Sequence, residues 1–187
     1  MTLVKEKNKI YTYTDYLSWD DDERWELIGG EAHNMTPAPS TNHQNIAGRF
    51  YHALLNKLSG KQCTPFIAPT DVVLSEHDVV QPDVFVVCDK NKITDKNIQG
   101  SPDLIVEVLS PATALKDKRE KKILYEKYGV KGYIIVDPIE NYVERFTLKE
   151  GCYEAPEIFG PNDKLTLYSL ENISIQLKEV FEIIDIS

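Results

Sequence analysis

The chain has 187 residues, of which 42% are hydrophobic, so it is long enough for one domain with a sizeable core. Its 30 acidic and 21 basic residues give a net charge of −9, which argues against binding of nucleic acid through a broadly basic surface. No stretch is long and apolar enough to span a membrane, and the N-terminal MTLVKEKNKIYTY lacks the apolar core of a signal peptide. We therefore expect a cytoplasmic protein with no membrane partner.

A short helix and a β-hairpin are predicted before residue 36. Thr14 is predicted to cap a short helix that runs to about Trp19. Residues 25–28, WELI, are predicted to form a strand, and Gly29-Gly30 a hairpin turn into a second strand over residues 31–35.

A long helix is predicted over residues 42–58, because its apolar residues recur with helical spacing. Ser40 or Thr41 is the expected cap, and Gly60 is the expected stop.

The cysteines Cys63, Cys88 and Cys152 are far apart and odd in number, with neither a zinc-binding spacing nor the pattern of a disulfide framework. We interpret them as buried or incidental thiols.

Strands dominate the rest of the chain. They are predicted over residues 63–74, 79–87, 104–109, 132–136, 142–148, 153–159, 165–168 and 173–177, with a helix over 111–128 capped by Thr113 and a last helical turn over 179–184. The order strand–helix–strand across residues 104–136 predicts a right-handed parallel crossover. The sheet is therefore predicted to be mixed, with hairpins first and one crossover after them.

Two acids interrupt apolar, β-branched runs. Asp83 lies in residues 79–87 and Glu107 in residues 104–109. Strands this apolar are normally buried on both faces. A buried carboxylate must be neutralised, paired or bound to a metal, since burying it ionised and alone is very costly. Two such acids on neighbouring strands predict one shared cation.

The helix predicted over residues 111–128 supplies a base for these acids. At about 100° per residue, Asp117 and Lys121 lie on the apolar face with Tyr125. The other charged residues of this stretch are predicted on other faces: Lys116, Lys118, Arg119, Glu120, Lys122, Glu126 and Lys127. A lysine on the buried face needs an anionic partner, and Asp83 and Glu107 are the candidates.

Two carboxylates and a lysine form a set typical of metal-dependent phosphodiester hydrolysis. Carboxylates hold a hard divalent cation through oxygen, and the cation activates water and neutralises charge that develops on the phosphate. The lysine orients the nucleophile or stabilises that charge. Two further acids, Asp71 and Asp137, are predicted to hydrogen-bond to backbone, at a bulge and at a turn.

The sequence resembles the Uma-type restriction endonuclease family of the PD-(D/E)xK nuclease superfamily. The resemblance covers about residues 10–180 and is carried by WELIGGE, PSTNHQ, VVQPDVFVV and IVEVLSPAT…DKREKKILYEKYGVKGYIIVDP. It implies a single domain over residues 1–187 with an α/β (α+β), restriction-endonuclease-like fold, in which helices flank a mixed β-sheet. It also implies magnesium (or manganese) as cofactor and DNA as substrate.

Carried over by position, Asp83 is the motif aspartate and Glu107 the motif acid. Leu109 stands where the superfamily usually has its lysine, so Lys121 on the following helix takes that role. The metal ligands would be Asp83 and Glu107, with the Val108 carbonyl.

The resemblance also implies roles for residues outside the metal ligands. Glu26 would complete the outer shell of the metal or act as a base, and His43 would bind a phosphate. Asp117 and Tyr125 match recurring positions and are expected to serve substrate binding.

Two other functions remain open. One is a non-catalytic nucleic-acid- or protein-binding module on a nuclease fold, which the acidic balance and Leu109 favour. The other is a structural homodimer in which the acids only pair with Lys121. A tight site for a divalent cation separates the enzyme from the structural homodimer. A homodimer is expected for the enzyme, with the strands of residues 142–159, which are rich in Tyr, Val and Phe, as the edge where two chains meet.

Overall fold

The computed structural model describes residues 9–19, 23–35, 38–111 and 114–182. The helices are α1 (Tyr13–Leu17), α2 (Thr41–Leu58), α3 (Ala114–Lys116), a π-helical turn (Asp117–Lys121), α4 (Lys122–Lys127) and α5 (Leu177–Phe181), with 3₁₀ turns at Lys90–Lys92 and Tyr168–Leu170. The strands are β1 (Trp25–Ile28), β2 (Glu31–Asn34), β3 (Thr64–Ile67), β4 (Val72–Ser75), β5 (Asp78–Val80), β6 (Val84–Val87), β7 (Ile98–Gln99), β8 (Leu104–Val108), β9 (Gly132–Asp137), β10 (Tyr142–Lys149), β11 (Cys152–Tyr153), β12 (Glu157–Phe159), β13 (Lys164–Leu167) and β14 (Ile173–Gln176).

Five strands form the first sheet, in the order β2-β1-β5-β4-β7. The predicted hairpin between β1 and β2 is present, and Gly29 and Gly30 take φ values of +58° and +80° there. A Cβ at Gly30 would lie 2.6 Å from the side chain of Ile10, so this turn needs glycine for space as well as for its backbone conformation. The short strand β7, which lies in a segment predicted as a loop, pairs with β4 in parallel.

The second sheet has the order β11-β10-β9-β8-β6-β3, and β12 also pairs with β10. The strands β8 and β9 pair in parallel with Glu107 opposite Ile135, while the other pairs are antiparallel. The segment of residues 114–127 connects β8 to β9 and is called the crossover helix below. The predicted mixed sheet with one crossover is confirmed, and β13 and β14 form a separate hairpin.

Three of the predicted strands are wrong as single strands. Residues 153–159 divide into β11 and β12, which both pair with β10, and the other two each pass from one sheet to the other. Residues 63–74 divide into β3 and β4 around a cis Ala68–Pro69 bond, and residues 79–87 divide into β5 and β6. Proline has no N–H to donate to a strand ladder, and Pro82 stands between β5 and β6. Asp83 therefore lies where the chain crosses between the two sheets.

The core lies on both faces of the second sheet. The helix α2 packs on one face through Ile46, Phe50 and Leu54, together with the β13–β14 hairpin and α5. The crossover helix covers the other face through Leu124 and Tyr125. This burial explains why β6 and most of β9 are continuous apolar runs, and why β8 is apolar apart from Glu107.

The two helices α1 and α2 begin where a short polar side chain accepts a hydrogen bond from a backbone N–H of the first turn. Ser40 caps α2 by accepting from the N–H of His43, as predicted. The cap of α1 is Thr12 and not Thr14, because Thr12 and Asp15 exchange hydrogen bonds in a capping box. The predicted cap Thr113 lies outside the described residues.

The cysteine prediction is wrong in part. Cys63 and Cys88 form a disulfide, with their Cα atoms 3.9 Å apart, whereas Cys152 is free and exposed. The antiparallel pairing of β3 with β6 sets Thr64 opposite Val87 and so brings the two flanking cysteines together. Within the part of the chain that the structure covers, no helix has the length and apolar character needed to cross a membrane.

Candidate active site

The two predicted acids lie side by side at the edge where β6 begins and β8 ends. The backbone N–H of Asp83 points to Oε2 of Glu107 at 3.4 Å, and the N–H of Val108 donates to Oδ2 of Asp83 at 2.8 Å. Glu107 is 3% exposed, whereas the side chain of Asp83 is 22% exposed. The pair thus has one buried carboxylate and one that solvent can reach.

Lys121 lies on the buried side of this pair. Its Nζ is 2.9 Å from Oε1 of Glu107 and 2.9 Å from Oε1 of Glu26, and it is 3.8 Å from Oδ1 of Asp117. Of the two partners predicted for this lysine the structure supplies Glu107, and Glu26 takes the place that was expected for Asp83.

Glu26 brings the first sheet into the site. It lies in the middle of β1 and is fully buried. Its Oε1 accepts from the backbone N–H of Gln81 at 3.1 Å, and its Oε2 accepts from Nζ of Lys116 at 2.7 Å. The site is therefore built at the junction of the two sheets, and the crossover helix joins them through two lysines.

Lys116 was predicted on another face of the helix, and that prediction is wrong. The helical wheel assumed 3.6 residues per turn throughout, but residues 117–121 form a π-helical turn. Bonds between residues five apart widen such a turn, so positions i and i+5 come to lie on one face. Lys116 and Lys121 are five apart, and both reach Glu26.

Asp117 and Tyr125 surround the lysine and the acid. The Tyr125 hydroxyl donates to Oε1 of Glu107 at 2.8 Å, and both side chains are buried. The backbone carbonyl of Asp117 accepts from the hydroxyl of Tyr133 at 3.0 Å. The sequence pattern did not single out Tyr133, whose position in β9 reads as ordinary core.

His43 approaches from the start of α2. Its Nε2 lies 3.1 Å from Oδ2 of Asp83, and its Nδ1 is buried with no hydrogen-bond partner among the described residues. Burial lowers the pKa of His43, but hydrogen bonds to Asp83 and to the Val108 backbone and the charge of Glu107 outweigh burial, so the net shift is upward. The ring is 6% exposed, so it faces Asp83 more than solvent.

The two carboxylates that share Lys121 have opposite pKa shifts. Burial raises the pKa of Glu107 to about 8; Lys121 opposes this shift, whereas nearby Asp83, Asp117 and Glu26 add to it. Burial also acts to raise the pKa of Glu26, but Lys121 and Lys116 outweigh it and lower the pKa to about 2. The difference follows from the neighbours, because Glu26 has two ammonium groups beside it and Glu107 has one lysine amid three other acids.

The donor set fits a hard divalent cation. In residues 9–19, 23–35, 38–111 and 114–182, no three His, Cys, Asp or Glu side chains are arranged to hold a metal ion. Magnesium does not need such a cage, since one or two carboxylates with water and substrate phosphate suffice. Acids also outnumber bases in the cluster, which holds four acidic side chains and two lysines: Asp83, Glu107, Glu26, Asp117, Lys116 and Lys121.

The two remaining acids serve structure. Oδ1 of Asp71 accepts from the hydroxyl of Tyr16 at 2.9 Å and from Nε2 of Gln81 at 2.8 Å, so it bonds to side chains where backbone partners were predicted. Oδ1 of Asp137 accepts from the N–H groups of Ile139 and Glu140, which confirms the predicted turn.

Comparison with known proteins finds one matching family and two related proteins. The family described as "Uma2: Putative restriction endonuclease" matches residues 13–178. An uncharacterized protein of Synechocystis sp. is 28% identical over 170 residues, which cover 87% of this chain and 96% of the relative. A second uncharacterized protein of Synechocystis sp. is 32% identical over 116 residues, which cover 59% of this chain and 60% of the relative.

A solved structure shares the fold. The crystal structure of a putative nuclease belonging to DUF820 from Anabaena variabilis has a TM-score of 0.75, with 18% sequence identity, over 91% of this chain and 97% of that one. At this identity the likeness bears on the fold, which is the restriction-endonuclease-like α+β class that the sequence predicts.

Proposed function

Because the chain belongs to the Uma2 family of putative restriction endonucleases, we propose that it is a cytoplasmic, metal-dependent endonuclease that hydrolyses DNA phosphodiester bonds. One observation carries the proposal. Asp83 directly precedes β6 and Glu107 lies on the adjacent strand β8, the N–H of Asp83 lies 3.4 Å from Oε2 of Glu107, and the ammonium of Lys121 lies 2.9 Å from Oε1 of Glu107.

The carboxylates of Asp83 and Glu107, with the Val108 carbonyl, would hold magnesium or manganese. When bound, the cation would supply an activated water and neutralise charge on the phosphate. Two features support this assignment: four acidic side chains stand against two lysines in the cluster, and burial, with Asp83, Asp117 and Glu26 adding to it, raises the pKa of Glu107 against the opposing charge of Lys121.

The chain's own residues would prepare the substrate and the nucleophile. Lys121 would position the attacking water or stabilise the pentavalent phosphate. His43 would contact substrate phosphate beside Asp83, whereas Asp117 and Tyr125 would act on substrate binding through Lys121 and Glu107, which they surround.

A homodimer is part of the proposal. The edge strand β12 pairs with β10 on one side and carries Ile158, which is 69% exposed. An exposed apolar edge strand is a template for pairing with a second chain. Light scattering of the wild type and of Ile158→Lys would test this, since a dimer through β12 predicts a monomeric variant.

A binding module without catalysis is the second candidate. The net charge of −9 and Leu109 at the usual position of the lysine favour it. Such a module would bind DNA without cleaving it, and its affinity for DNA would persist in Glu107→Ala. A merely structural cluster, in which the acids only pair with Lys121, predicts no affinity for divalent cations.

One experiment separates the three functions. Magnesium and manganese are titrated by calorimetry into the wild type, Glu107→Ala and the control Glu154→Ala, an exposed acid paired with Lys149. The same proteins are then incubated with supercoiled plasmid. The proposal expects cation binding and nicking in the wild type and the control, and loss of both in Glu107→Ala. A wild type that binds no cation would overturn it.

A further inference from the structure

We propose that Glu26 and Lys116 are a positioning pair, which fixes the ammonium of Lys121 beside Glu107, and that Glu26 is neither a metal ligand nor a base. This inference rests on the proposed function and deepens it. It assigns Lys116 to the site and gives Glu26 a role other than the one expected from the sequence.

Both carboxylate oxygens of Glu26 are already engaged. Oε1 accepts from the N–H of Gln81 at 3.1 Å and lies 2.9 Å from Lys121, and Oε2 accepts from Lys116 at 2.7 Å. With no exposed surface, the side chain has no open direction for a cation or a water. Glu107 differs, because among the described residues its Oε2 receives only the 3.4 Å contact from the N–H of Asp83.

The acidity of Glu26 agrees with this geometry. Its two lysines lower its pKa to about 2, against the burial that would raise it. A general base works best when its pKa lies near the operating pH. Glu26 is therefore a fixed anion, which is suited to hold a cationic side chain in place.

Lys116 completes the arrangement. Its side chain is 18% exposed and bonds to Glu26, whereas the side chain of Lys121 is 4% exposed and has Glu26, Glu107 and Asp117 around it. Without Lys116, Lys121 would be the single cation paired with the buried carboxylate of Glu26. The attraction of Glu26 would then draw the Lys121 ammonium away from Glu107. The second lysine balances Glu26, so Lys121 can be shared evenly at 2.9 Å from each acid.

Gln81 connects Glu26 to the segment that carries Asp83, one of the proposed metal ligands. Its backbone N–H bonds to Glu26, and it stands two residues before Asp83 on the same crossing between the sheets. The ammonium of Lys121 is thus held between two strands, by its ion pair with Glu26 on β1 and by its ion pair with Glu107 on β8. A displacement of about 1 Å in such a group can cost about 10²-fold in rate.

The test compares Glu26→Gln, Lys116→Met and Lys116→Arg with a control, Lys118→Met. Lys118 lies on the same crossover helix and pairs with Glu144, away from the site. Three quantities are measured: the Mn²⁺ dissociation constant by calorimetry, kcat and KM for nicking, and the Lys121 ammonium signal in ¹⁵N spectra of lysine-labelled protein. The Lys121 signal is assigned with Lys121→Met.

We expect Mn²⁺ affinity to stay within about threefold of wild type in every variant. We expect kcat to fall about 10- to 100-fold in Glu26→Gln and Lys116→Met with KM unchanged. The Lys121 signal should shift in these two variants, Lys116→Arg should retain most of the rate, and Lys118→Met should match the wild type.

Three results would overturn the inference. Mn²⁺ affinity reduced about tenfold or more in Glu26→Gln would make Glu26 a part of the metal site. A Lys116→Met protein with the kcat and Lys121 signal of Lys118→Met would remove Lys116 from the site. Equal loss in Lys116→Met and Lys116→Arg would mean that charge at this position is not what matters.

The design separates this inference from the proposed function. A wild type that cleaves no DNA would sink the proposed function, and the Lys121 signal and Mn²⁺ affinity would still decide the positioning role. If Glu26→Gln fails to fold, the two Lys116 variants carry the test alone.

Discussion

The backbone N–H of Val108 donates a 2.8 Å hydrogen bond to the carboxylate of Asp83, so the strand that carries Glu107 is fastened to the acid at the start of the neighbouring strand. Two carboxylates in one low-dielectric site repel each other, and a donor from the backbone offsets part of that cost. The bond also fixes which oxygen of Asp83 is left to face solvent and a cation.

Asp83→Asn removes the negative charge of Asp83 with little change in the shape of the side chain, so it tests whether that charge is needed for cation binding. The amide oxygen can still accept from Val108, so at pH 8.5, where the charged hydrogen bond between His43 and Asp83 contributes least, we expect the free energy of unfolding to stay within about 1 kcal/mol of wild type. The affinity for Mg²⁺ or Mn²⁺ should fall at least about tenfold, because a charged ligand is lost. Calorimetry and urea unfolding measure both quantities.

Asp71→Asn is the control for this prediction. It removes a partly buried acid that bonds to Tyr16 and Gln81. Cation affinity that falls equally in both variants would contradict a specific role of Asp83.

His43 predicts a pH-dependent contribution to stability in the metal-free protein. Its pKa is raised in the fold, chiefly by Asp83 acting against burial. Its contribution is therefore fully present below the unfolded pKa near 6.5 and is lost as pH rises through the higher folded pKa. His43→Gln should destabilise the protein more at pH 5.5 than at pH 8.5, up to the roughly 1.5–3 kcal/mol of a charged hydrogen bond.

His33 offers a comparison of opposite sign. Burial, and then the charge of Lys116, lower its pKa, so its neutral form is favoured in the fold. Stability from this group is present above pH 6.5 and is lost as pH falls through the lower folded pKa. His33→Gln should gain stability relative to wild type at acid pH. Thermal unfolding at pH 5.5 and 8.5 measures both variants, and the same trend in the two would contradict these assignments.

Much of the fold could be predicted from the sequence, because period and turn residues are local signals. WELIGGE predicts its hairpin from alternation and paired glycines, and Ser40 predicts the start of α2. The sheet crossings at Pro69 and Pro82 were missed because a run of apolar residues looks the same in one sheet as in two. Which strands become neighbours depends on long-range packing, and so does the pairing of Cys63 with Cys88.

The site divides in the same way. Asp83 and Glu107 stand out because an acid in an apolar run is costly, and Lys121 stands out on a regular wheel. Lys116 could not be found by that wheel, since the π-helical turn that follows it changes its phase relative to Lys121 and Tyr125. Gln81 gave no signal either, because it acts on Glu26 through its backbone.

Tyr125→Phe removes the hydroxyl that donates to Glu107 at 2.8 Å. Burial keeps the pKa of Tyr125 well above its usual value, so the hydroxyl remains a donor at neutral pH. We expect a loss of about 1–3 kcal/mol in the free energy of unfolding, because Glu107 loses a buried partner. We also expect the Mn²⁺ dissociation constant to rise about 10-fold or more, as it does when other groups that orient a metal ligand are removed.

Tyr133→Phe is the matched control. Tyr133 is equally buried, packs against Tyr125 and donates to the carbonyl of Asp117. It should lose similar stability and leave Mn²⁺ affinity unchanged. If both variants change cation affinity alike, the effect belongs to packing and not to the bond with Glu107.

Glu107→Gln predicts a change in the pH dependence of folding without metal. The pKa of Glu107 is raised in the fold to about 8 from 4.5. The protonated form therefore stabilises the fold below pH 4.5, and this stability is lost as pH rises through 8. Relative to Glu107→Gln, the wild type should lose stability between pH 5 and pH 9, at up to about 1.4 kcal/mol per pH unit. Denaturant unfolding in EDTA measures the difference in free energy of unfolding between the two proteins. A difference that does not vary with pH would mean that Glu107 is ionised throughout, against the prediction.

The same pKa predicts how tightly the wild type binds a cation at each pH. A metal ligand must be deprotonated, so binding to Glu107 must release its proton at any pH below about 8. Below that value, Mn²⁺ affinity should rise about tenfold for each pH unit and then level off above it. Calorimetry at pH 6, 7, 8 and 9, in buffers that differ in heat of ionisation, gives both the affinity and the number of protons released. We expect about one proton per cation at pH 6 and close to none at pH 9. An affinity that is constant from pH 6 to pH 9 with no proton release would mean that the cation binds without displacing a proton from Glu107, which would remove this residue from the proposed ligand set.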